Sequence, residues 1–208
     1  GDATVANLKL NAPGLPVDEV EAMLPALGVT LPAGAGLKGG TLSAALAMTG
    51  PTDKLVVEGP VKLENSKLKG FDLGSKLSVL SAFSGKAAPS GDTTIQNAST
   101  TARVAPNGTT LNAIDVEVPS LGVLTGSGTV SGSGALNFKM MAALSGRTGS
   151  ARREGSRDGI PFMIEGTTAN PKFVPDVGGM ASGAIHQAIT GKVSPEGESL
   201  KKGLGGLL

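Results

Sequence analysis

The chain has no cysteine, no tryptophan, no tyrosine and a single histidine, His186. These absences remove most of the usual catalytic inventory: a thiol nucleophile, a disulfide framework, a Cys/His metal cage and a Ser-His triad with any choice of base. Aromatic residues make up only 2% of the chain, which leaves few platforms for stacking bases. An excess of one charge is also missing, with 18 basic against 17 acidic side chains, so no long-range field draws in nucleic acid. Nucleic-acid binding is therefore disfavoured, and no cofactor or metal is expected. No run approaches the roughly 20 apolar residues of a membrane span. With Gly1 in place of Met at its start, the chain reads as a soluble piece whose signal or anchor lies outside it.

What is present is alternation. The 208 residues suffice for a sizeable core, and the 39% of apolar residues alternate with polar ones instead of scattering, which argues for a folded chain despite 32 glycines and 13 prolines. Ala6, Leu8 and Leu10 against Asn7 and Lys9 predict a first strand over residues 4–10. Pro16, the acids Asp18, Glu19 and Glu21, and Gly28 as a stop predict a short helix over 16–27. Residues 29–40 read as a Pro/Gly-rich loop. Leu42, Ala44, Leu46 and Met48 then alternate along a second strand, and Leu55, Val57, Val61 and Leu63 along a third whose other parity carries Lys54, Glu58, Lys62 and Glu64. Residues 65–67 read as a turn, 68–73 as an extension of the meander, and 75–83 as a second short helix.

Residues 93–145 read as four more strands, with turns at Asn107-Gly108, at Pro119-Ser120 and over 131–134. Leu111 is out of parity with Ile114, Val116 and Val118, which places a bulge near Ala113. Leu136, Phe138, Met140, Ala142 and Leu144 give the cleanest single face. Residues 146–159, with four arginines and much Gly and Ser, read as a flexible basic loop, and Ile160, Phe162 and Ile164 as one more strand. Asp176 as an N-cap, followed by apolar residues at helical spacing from Val177 to Ile189, predicts a C-terminal amphipathic helix.

The motifs that resemble sites favour bland readings. GAGLKG at 34–39 has the G-x-G-x-x-G spacing, but a strand pattern follows it instead of a helix, so it makes no phosphate cradle. The glycines of 126–134 look structural, marking close backbone approach in a strand. His186 falls opposite the apolar stripe of the predicted C-terminal helix, without a second ligand nearby. Asp115 and Glu117 share one side of a strand and read as solvated charges.

One segment carries a family resemblance. IPFMIEGTTANPKFVPD, residues 160–176, resembles the C-terminal motif of AsmA-family proteins: a strand I-P-F-x-I-x-G-T, then N/D-P-x-F-x-P-D, then a helix. Residues 61–73 (VKLENSKLKGFDL) are similar to the family's recurrent strand, Asn turn and strand, and the Asn107-Gly108 hairpin with 114–130 is similar as well. The resemblance implies a periplasmic domain with an inner-membrane anchor outside this fragment. It further implies a curled β-groove of bridge type that moves phospholipid and supports outer-membrane assembly and maintenance.

The expected fold is mainly β: a curved antiparallel meander or groove with two short helices and a C-terminal amphipathic helix. Four stretches follow, 1–84, 85–145, 146–159 and 160–208, within one continuous domain of a larger protein. No enzyme activity is expected. The expected ligand is phospholipid or another acyl-chain molecule, with other envelope proteins as further partners. Acyl chains would lie against Leu42, Leu46, Val57, Val61, Leu63, Ile114, Val116, Val118, Leu136, Phe138, Met140, Phe162 and Ile164, and head groups or membrane against Arg147, Arg152, Arg153 and Arg157. Two alternatives stand beside this: a structural or protein-interaction domain with a closed core, and an envelope glycosidase using two carboxylates about 5–10 Å apart.

Overall fold

The period-two alternation becomes a single antiparallel sheet in the computed structural model, which describes residues 5–22, 31–51, 54–78, 91–144 and 159–178. Its strands are β1 (Val5–Pro16), β2 (Gly36–Lys38), β3 (Thr41–Pro51), β4 (Val56–Lys69), β5 (Thr93–Ala105), β6 (Gly108–Val118), β7 (Gly122–Ser131), β8 (Leu136–Leu144), β9 (Ile160–Thr167) and β10 (Asn170–Pro175). Apart from β2, which pairs with β4, they lie side by side in chain order from β1 to β10. Two short helices, α1 (Val17–Val20) and α2 (Leu73–Lys76), sit at the same end of the strands. The sheet is open and curled. Residues 1–175 form one unit and 176–208 a second, of which residues 176–178 are described. The predicted C-terminal helix lies almost wholly outside the described residues. Among the described residues no helix is long and apolar enough to cross a membrane.

Two irregularities interrupt the regular pleat of the strands. Ala113 has a left-handed backbone, with φ of 50°, and the register of β6 shifts there against both β5 and β7. This is the bulge that the parity break at Leu111 predicts; it returns Leu111 and Ile114 to one face. The second lies at Asn65, expected as a turn. The chain does not turn: β4 pairs with β5 on both sides of Asn65, at Glu64↔Asn97 and Ser66↔Ile95. Asn65 instead takes φ of 53°, a conformation asparagine tolerates, and kinks a continuous strand. Gly40 lies against it with φ of 79°, and a Cβ there would collide with the carbonyl oxygens of Glu64 and Asn65. The kink brings Leu68 into the same apolar cluster as Leu63.

Further departures from the expected pattern lie at 29–40 and at Pro16. The 29–40 loop contains β2, whose register continues that of β3 along β4, with Leu37 buried opposite Leu68. Local Gly and Pro content disguises it, because its pairing template comes from the far end of β4. Pro16 ends β1, and the predicted helix begins one residue later as α1, with helical turns through residue 22; residues 23–27 lie outside the described ones. Segment 170–175 forms β10: its two prolines lie on an edge strand, where a missing N–H is tolerated. α2 begins two residues before the expected helix, with Asp72 as its cap, and residues 79–83 lie outside the described ones.

Candidate functional site

Strand pairing places side chains in rows across the sheet, because residues directly opposite one another share a face. One row runs Leu15, Leu42, Leu63, Ala98, Val116, Leu124, Ala142, Ile160 over eight strands without a polar side chain. Another runs Leu8, Met48, Val57, Val104, Thr109, Val130, Leu136. Between them lie Ile114, Gly126, Met140, Phe162 and Leu111, Gly128, Phe138, Ile164, Phe173. With Leu46 opposite Leu10 and Val118 opposite Gly122, all thirteen predicted apolar residues fall on this one face. The opposite face carries rows such as Ser43, Lys62, Ser99, Asp115, Thr125, with Glu58 and Arg103 paired across strands at 3.5 Å. Asp115 and Glu117 stand on that polar face.

The sheet curls toward its apolar side. Phe71, just beyond β4, meets Phe173 of β10 with ring centroids 6.4 Å apart, and Phe173 stacks on Phe162 at 6.2 Å. Six strand pairings separate β4 from β10 along the sheet, so this contact crosses the concave side.

Burial along the trough is graded. At the end that carries the helices, Phe162 and Ala142 are 1% exposed and Val118 2%, while Val17 of α1 and Leu77 beyond α2 are each 1% exposed. Val17 packs with Leu37 against Leu42, Leu63 and Leu68. At the other end, where the 51–56, 106–108 and 167–170 connections lie, Val57, Val104, Leu111, Val130, Leu136 and Ile164 are only partly buried. Leu8 and Leu10 of the edge strand β1 are 59% and 44% exposed. Among the described residues the trough is thus plugged at one end and partly exposed at the other.

Polar groups fix the plug. The Thr93 hydroxyl, buried, donates to the Phe71 carbonyl at 3.0 Å and accepts from the Leu73 amide at 3.0 Å. Asp92 accepts from the Gly70 amide at 3.1 Å, and Asp72 from the Ser75 amide at 2.9 Å. The amides of Ser75 and then Gly91 hold the Asp72 carboxyl below the usual carboxylate range. On the other side, Glu21 accepts from the Leu37 amide at 3.0 Å and Asp18 from the Gly39 amide at 3.2 Å, so α1 covers the edge of β2. Lys38 bridges both acids, and the hydrogen bond to Glu21 is the main reason its ammonium is held above the ordinary lysine range. Sequence reasoning took these acids for helix-dipole partners; no local pattern shows their second role on β2.

Small residues widen the floor of the sheet. A Cβ on Gly128 would collide with the Phe138 ring, and one on Gly126 with Met140, so both glycines accept a large cross-strand neighbour lying over the backbone. Arg147, Arg152, Arg153, Arg157 and His186 lie outside the described residues. Among the described residues no group of three or more His, Cys, Asp or Glu side chains is placed to hold a metal ion. Compared with known protein families, curated proteins and solved structures, the chain matches none.

Proposed function

We propose that this chain binds phospholipid, or another ligand with an acyl chain, along the apolar concave face of its sheet. In this reading it is a periplasmic AsmA-like domain, anchored in the inner membrane by a segment outside this sequence, that supports assembly and maintenance of the outer membrane. The observation that carries the reading is the set of largely apolar rows, one unbroken over eight strands and another interrupted only by Thr109, ending in partly exposed Val57, Val104, Leu111, Val130 and Leu136. A solvent-accessible apolar surface of this extent marks a binding surface more often than a plain exterior. The resemblance of residues 160–176 to the AsmA motif supports the same reading. Each methylene moved from water onto such a surface gains about 0.8 kcal/mol, with the head group left wet at the rim. No reacting side chain is required.

Native mass spectrometry after gentle purification tests this. Copurified phospholipid, or uptake from phospholipid vesicles by lipid-stripped protein, is the expected result; a clean apo mass with no uptake overturns it. A protein-docking domain is a second reading, favoured by one feature: among the described residues β1 is a 12-residue edge strand, paired on one side, with Leu8 and Leu10 exposed. It gains if the stripped protein takes up no lipid.

A further inference from the structure

The plugged end gives the trough a floor, and a floor measures what enters. We infer that Phe71, set against Phe173 and Phe162, is the stop against which the tail of a single bound acyl chain rests, so that the trough discriminates by chain length. The inference rests on the lipid reading above and adds an orientation to it: tail toward α1 and α2, head group at the open end.

Three observations carry it. First, the barrier has packing on both sides of the curl. Phe71 reaches Phe173 across the concave side, and Val17 with Leu37 seats on Leu42, Leu63 and Leu68. A chain advancing along the face from Val57 meets this packing beyond Leu63. Second, the barrier is tied to β4, β5 and α2 by the hydrogen bonds of Thr93, Asp92 and Asp72, so it is part of the fold. Third, the open stretch has the right scale. From Val57 to Leu63 β4 advances six residues, about 20 Å at roughly 3.3 Å per residue, which is close to the reach of an extended palmitoyl chain.

The consequence is quantitative. A methylene that lies on the face contributes about 0.8 kcal/mol, or roughly a fourfold change in Kd. A methylene that cannot pass the floor stays in water and contributes nothing. Affinity for a series of single-chain amphiphiles therefore rises with each carbon and then levels off.

The test is isothermal titration of the whole chain with lysophosphatidylcholines of increasing acyl length, each below its micelle concentration. The expected result is a Kd that falls about fourfold per methylene and then reaches a plateau. In Phe71→Ala the plateau moves to longer chains. In Ala98→Leu, which adds bulk on the trough face between Leu63 and Val116, it moves to shorter ones; this variant leaves the plug intact and keeps the test decisive if Phe71→Ala does not fold. Binding with no plateau, or a plateau unmoved by every folded variant, overturns the floor and leaves the lipid reading standing. No binding at any length overturns the lipid reading itself.

Discussion

Ala113 is a residue in the wrong conformation for its chemistry. At φ of 50° its Cβ crowds the following carbonyl, a cost of roughly 1–2 kcal/mol for an L-residue that glycine does not bear. The bulge is indispensable, since it alone brings Leu111 back to the face of Ile114 and Val116, but the alanine is not. Glycine at this position loses more backbone entropy on folding, roughly 0.5–1 kcal/mol, which offsets part of the gain. Ala113→Gly should therefore stabilise the protein by about 0.5–1 kcal/mol and raise Tm by roughly 1–4 °C in scanning calorimetry. Ala113→Val should lower it, because a β-branched side chain tolerates this region worst. If the glycine variant melts lower than the parent, the left-handed bulge is not what shapes β6.

At the scale of elements, α2 is four residues long and too short to be stable alone; it persists because Asp72 caps it and Thr93 ties it to β5. The sign of its pH dependence follows from the cap. The folded pKa of Asp72 lies below its unfolded value, so its contribution is complete above the ordinary carboxylate range and is lost as pH falls through the lowered folded pKa. Asp72→Ala should thus lower Tm at pH 7, and the gap between variant and parent should close only below about pH 4. A gap that stays constant down to pH 2 would show that the charge is irrelevant.

The elements also show what local pattern encodes. Strands β3 to β8 were legible because their side chains alternate with a period of two, and even the bulge was legible as a parity break at Leu111. Parity likewise grouped the thirteen apolar residues strand by strand, and the pairing register is what puts those groups on one face. Asn65 misled because one left-handed residue looks the same in sequence whether the chain reverses or only kinks. β2 and β10 were hidden by glycine and proline, whose effect depends on whether a strand is central or at an edge. The plug was out of reach altogether, since the Phe71–Phe173 contact depends on curl accumulated over six strand pairings.

For the whole molecule, the burial gradient means that stability is unevenly distributed along every strand. Hydrogen bonds of the sheet run the full length of β4 to β8, but packing across the concave side is concentrated around Val17, Phe71, Leu77, Val118 and Phe162. Amides exchange with solvent through local openings whose free energy depends on that packing. Within one interior strand, therefore, protection should fall from the plugged end to the open end: Ser66 above Val57 in β4, Ile95 above Val104 in β5, Val116 above Thr109 in β6. Comparing residues of the same strand removes differences due to edge position. A ligand lying from the open end to the floor adds packing only where it is lacking, so a bound acyl chain should slow exchange at Val57, Val104 and Thr109 while leaving Ser66 and Ile95 almost unchanged. Hydrogen-exchange mass spectrometry of stripped protein, with and without a lysophospholipid at its plateau length, measures both effects. Uniform protection along the strands of the stripped protein would refute the gradient, and ligand protection concentrated at Ser66 and Ile95 would refute the orientation.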